Sequence, residues 1–130
     1  MLVLALVAGC VGLQDFSGDP ASDAGPVADA RDPLAVDRAL LPDMKAAIQR
    51  TWPDDTIYSV ELVGARWEVR LGDAGLPALR TVQTVVRSKT ASGTCGDFQV
   101  WFAQESTDGG NTWGPVDYFS VGDKTDVPCP

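Results

Sequence analysis

Three stretches of this chain alternate apolar and polar residues with a period of two, and that alternation constrains the fold more than any other feature. Trp67, Val69 and Leu71 are interleaved with Arg66, Glu68 and Arg70. Phe98, Val100 and Phe102 are interleaved with Gln99 and Trp101, and Tyr58, Val60 and Leu62 with Ser59 and Glu61. Successive strand side chains point to opposite faces, so each stretch reads as a strand with one covered face. Residues 80–89 are a β-branched run in which alternating Arg and Thr suggest a wet outer face. Gly64-Ala65 reads as a short turn pairing the first two strands as a hairpin. Gly72-Asp73-Ala74-Gly75 breaks the pattern, residues 91–96 read as a loop, and a last strand is expected over 116–121.

A single helix is expected ahead of these strands. Leu41, Met44, Ile48 and Trp52 recur at spacings of three and four, with Leu40 and Ala47 widening the stripe. Pro42 is tolerated only in a first turn, so the helix should run over 42–51, after a separate turn at 34–39. Asp43 and Arg50 then complement its dipole, and Pro53 with Asp54-Asp55 ends it. One helix on four or five antiparallel strands is a two-layer α+β domain. Cystatin-like and nuclear-transport-factor-like sheets offer an analogy of layout, which assigns no function.

The N-terminal third is of another kind. Residues 1–7 are wholly apolar, far short of the ~20 residues a spanning helix needs. Leu6-Val7-Ala8-Gly9-Cys10 resembles a bacterial lipobox, the site where a signal peptide is cut before a cysteine that then carries lipid. The resemblance implies a signal peptide over 1–9, acylation of Cys10, and membrane attachment through acyl chains such as palmitate. Val11 in place of Asp resembles an outer-membrane address. The competing reading is a buried apolar segment. Residues 11–32 carry five Asp against Arg31, with few large apolar side chains. Such a composition cannot offset its ordering entropy, so residues 10–32 are expected to be a flexible acidic tether. Extended at ~3.3 Å per residue it would reach ~70 Å. Residues 33–130 would be the folded domain.

If lipidation uses Cys10, an even pair remains, and Cys95 and Cys129 are expected to join in an oxidising compartment; the alternative is two buried thiols. No zinc or other metal site is expected, for there is no His and no C-x-x-C pair. The chain has 18 acids against 10 bases, net −8, which argues against nucleic acid and against anionic head groups as partners.

Residues 106–113, Ser-Thr-Asp-Gly-Gly-Asn-Thr-Trp, resemble the Asp box S-x-D-x-G-x-T-W at each fixed position: Ser106, Asp108, Gly110, Thr112 and Trp113. Asp boxes occur once per blade in sialidases and related propellers. A propeller needs at least four blades, so that activity is not implied, and the motif is expected to brace a hairpin. Calcium binding at Asp108 is the weaker alternative.

Without histidine, phosphate loop or cofactor motif, the chain is not expected to be an enzyme or to hold a cofactor. Glu61 and Glu68 with Arg66 and Arg70 read as cross-strand ion pairs. Two readings of function follow. One is a lipid-anchored envelope or surface accessory protein docking on a partner protein or assembly. The other is a lipoprotein inhibitor or small-ligand-binding module. Trp101, on the polar side of its strand, is the candidate contact in both, against packing under the C-terminal tail.

Overall fold

A computed structural model describes residues 32–130. The expected signal peptide, the acylation of Cys10 and nearly all of the tether lie outside the described residues. A 3-10 turn at Arg38–Leu40 leads into α1 (Leu41–Thr51). Five strands follow: β1 (Thr56–Leu62), β2 (Glu68–Leu71), β3 (Pro77–Lys89), β4 (Cys95–Glu105) and β5 (Asp117–Asp126). They form one antiparallel sheet in the order β1-β3-β4-β5, with β2 also paired to β3. The molecule is the expected α+β arrangement, one helix on an antiparallel sheet.

Why α1 forms where it does is local. Asp37 accepts from the Ala39 amide at 2.9 Å and starts the preceding turn. Pro42 lies in the first turn, where its missing amide costs nothing. At the far end the Gln49 side chain donates to the carbonyls of Trp52 (3.1 Å) and Asp55 (2.8 Å), fixing the turn that leads out of the helix. Met44, Ala47 and Ile48 are fully buried against Val60, Leu62, Val86, Val100 and Phe102 of the sheet. Trp52 stands at the rim and meets Phe98 with ring centroids 5.1 Å apart, and Tyr118 at 6.4 Å.

Four expectations need correction. The first is the hairpin: β1 and β2 do not pair with each other. Both run along the same edge of β3, Leu62 opposite Thr84 and Glu68 opposite Thr81. Thirteen residues of β3 are long enough to hold both, so Gly64-Ala65 is a jog in one interrupted strand and not a reversal. At the jog the chain gains a different partner: Val36 N–H donates to Ala65 O (2.9 Å) and Trp67 N–H to Leu34 O (2.7 Å).

The second concerns Tyr58, expected in the core with Trp67. Trp67 is buried, but a bulge between Ile57 and Ser59 shifts the alternation, so Ile57 is buried and Tyr58 only half so. The third is the wet face of β3. Arg80, Val82, Thr84 and Val86 turn toward the helix side; Thr84 is fully buried and donates to Val100 O at 2.9 Å. The fourth is the last strand, which runs to Asp126, well past Val121. Gly122 and Asp123 are poor strand formers, yet an edge strand tolerates them because only one side must pair.

Candidate binding face

α1 covers one face of the sheet. Among the described residues no other helix or strand layer lies on the opposite face. That second face carries Thr81, Gln83, Val85 and Arg87 of β3 and Gln99, Trp101 and Ala103 of β4. Register places Gln83, Trp101 and Ser120 in one row across β3, β4 and β5, with Val85 and Gln99 beside it. The next row holds Arg87 and Asp97, whose bidentate pair (2.7 and 3.0 Å) holds the Asp97 carboxyl below the ordinary carboxylate value.

Trp101 is half-buried near the centre of this face. A Cβ at Gly122 would stand 2.9 Å from its indole and 2.8 Å from Gln99 Oε1. The ring therefore lies against the β5 backbone, and glycine at 122 is what lets it do so. Its other border is a groove of about 230 Å³ between the β1–β2 jog and β4, lined by Val63, Gly64, Arg66, Glu68, Thr81, Val82, Gln83 and Trp101. Thr81 is buried there, and its Oγ1 has no hydrogen-bond partner.

The segment 106–113 sits at the far end of β4 and does not join Trp101. Asp108 organises it: Oδ1 accepts from Ser106 Oγ (2.7 Å) and from the Thr112 amide (2.9 Å), and Oδ2 from the Thr112 hydroxyl. The Gly110 amide donates to Ser106 Oγ at 2.8 Å. Gly109 and Gly110 both have positive φ, and a Cβ at Gly110 would strike Pro77. These bonds, those from Thr112 foremost, hold the Asp108 carboxyl down at about 2.

The loop delivers Trp113 onto Arg80. The Arg80 guanidinium lies between two indoles, 4.4 Å from the ring centre of Trp67 and 4.4 Å from that of Trp113. Its Nε and Nη2 donate to Gln104 Oε1 at 2.9 and 2.6 Å, and Gln104 in turn donates to Gly114 O at 2.9 Å. Burial lowers the Arg80 pKa from its ordinary value. On its other side Trp113 borders a cleft of about 510 Å³ with Leu79, Ala103, Glu105 and Phe119. Arg70 reaches over Phe119, 5.5 Å from its ring centre.

Cys95 and Cys129 form a disulfide at the opposite end of β4, with Cα atoms 5.2 Å apart. The three features singled out in the sequence thus stand apart along β4: the disulfide at its start, Trp101 in its middle, the Asp-centred loop after its end. Sequence reasoning missed Arg80 between its tryptophans, although its parity with Val82 and Val86 was a usable signal. It also missed Gln83 and Thr81 beside Trp101, which only strand register could place there. Glu61 and Glu68 were read as cross-strand ion-pair partners of Arg66 and Arg70. Instead Arg66 Nε donates to Asp32 at 2.6 Å, leaving Glu68 at the groove.

Compared with known proteins, the chain matches no family model, no curated protein and no solved structure.

Proposed function

We propose that this chain is a lipid-anchored accessory protein of the cell envelope, attached through Cys10 at the outer membrane, that holds a partner on the uncovered face of its sheet and is not an enzyme. The observation that carries the reading is the face itself: a half-buried indole set among amides, with no layer of the described chain upon it. An aromatic ring of this kind is the usual anchor of an interface, since it buries much area at little entropic cost. The docking reading takes a partner protein or assembly as the occupant. The small-ligand reading is favoured by the groove beside Trp101, whose about 230 Å³ lies below the size of a typical ligand pocket and would hold a single compact group.

Three measurements test the proposal. Intact mass of protein extracted from membranes should show acylated Cys10; soluble protein that still carries residues 1–9 would overturn the anchoring. A photo-cross-linker in place of Gln83 should capture the partner, while one in place of Lys45 on the exposed side of α1 should not. Trp101→Ala should weaken association by more than ~1 kcal/mol at unchanged melting temperature. Equal capture from both positions would overturn the choice of face.

A further inference from the structure

We infer that the groove beside Trp101 binds one uncharged sugar unit of a glycan chain, an inference that rests on the small-ligand reading above and names its ligand class. The lining selects by elimination. Arg66 is held by Asp32 at 2.6 Å, so the charge left at the rim is that of Glu68, which turns an anion away, while a cation would betray itself by a salt-dependent affinity. An apolar ligand would cover the Gln83 amide without bonding it, and buried polar groups without partners are costly. A protein anchor site would need more apolar area around the indole than Val63, Val82 and Val85 supply, for the ring is flanked in register by Gln83 and Ser120, with Gln99 beside it.

A pyranose ring meets each demand. One of its faces presents C–H groups that stack on an indole, and its perimeter presents hydroxyls that both donate and accept. The groove offers the matching set: Glu68 accepts, Arg66 donates, and Gln83 does both. The Thr81 hydroxyl is a bonding capacity the fold leaves unused at this position on the sheet. Trp101 is also prepared to be one wall. Gly122 lets the ring rest on β5, and this support limits its rotation before anything binds. The groove is open, so the unit can belong to a polymer that continues across the sheet.

The test is a titration of the full chain with tetrasaccharides of β-linked glucose and of β-linked N-acetylglucosamine, followed by amide and indole N–H chemical shifts. Saturable shifts are expected at residues 63–68, at Gln83 and at the Trp101 indole. Affinity should not change as salt is raised, because the ligand is neutral. Trp101→Ala should weaken binding at least ~tenfold. Gln83→Ala and Glu68→Gln, both at half-buried or exposed positions, should each weaken it less while leaving the melting temperature alone. No saturable shifts with either sugar would overturn the inference, as would shifts confined to the cleft at Trp113 and Phe119. A protein cross-linked through Gln83 in the absence of sugar shifts would overturn it too, and would leave the docking reading standing. Failure of both sugar binding and cross-linking would remove the face itself as the working surface.

Discussion

Arg80 shows how a single side chain joins parts of the chain distant in sequence. Its guanidinium ties Trp67 of the β1–β2 jog to Trp113 after β4, while Gln104 fixes its in-plane orientation. A planar cation suits this slot because it stacks on two rings and still donates at its edge. Arg80→Ala should destabilise the domain by about 2 kcal/mol, since it removes a partly desolvated cation–π pair and leaves Gln104 Oε1 without its donor. Arg80→Lys should recover only part of that loss. Thermal melting of the three proteins checks this, and an Arg80→Lys variant as stable as the parent would show that charge alone matters.

At the scale of elements, β5 depends on ties at its far end. It is an edge strand, exposed over most of its second half, with register shifts where it crosses Gln99 and Trp101. Two ties hold its far end to the start of β4: the Val127 amide donates to Cys95 O at 3.2 Å, and the disulfide closes a loop of sequence separation 34. By chain entropy such a closure is worth roughly 3–4 kcal/mol. Reduction should therefore lower stability by up to about that amount. It should also speed amide exchange selectively at residues 123–127, leaving α1 and β3 protected until global unfolding. Uniform acceleration across the sheet would mean that the clip supports the whole fold and not its tail.

The whole molecule carries a marked excess of acid, net −8, and two of the described carboxyls are held below their ordinary pKa. Asp108 titrates at about 2, held down by Thr112 and Ser106, and Asp97 is held down by Arg87. Both folded values lie below the unfolded one near about 4, so both groups favour folding above that pH. Their contribution is lost as pH falls from about 4 toward about 2, when the unfolded chain takes up protons first. Melting temperature should be level above pH ~5 and drop through this window. Asp108→Asn should reduce the slope of that drop. An unchanged slope would assign acid sensitivity to the other carboxylates.

The sequence by itself determined the local features. The three-and-four spacing from Leu41 to Trp52 allowed only a helix, Pro42 at one end and Pro53 with Asp54-Asp55 at the other bounded it, and period-two runs required strands with one covered face. Ser106, Asp108 and Thr112 close a turn among neighbours, so their bonds follow from spacing alone. Tertiary structure decided what depends on register and on strand length. Whether Gly64-Ala65 reverses the chain or merely steps it aside depends on β3 being long enough to hold two partners on one edge. Whether Tyr58 or Ile57 faces the core depends on a bulge that flips parity. Gln83, Thr81, Glu68 and Gly122 come together at Trp101 only because four segments separated in sequence lie side by side. Short-range bonding is fixed by which residues adjoin, whereas a groove on a sheet is a sum over strands, and no strand's pattern encodes its neighbour's offset.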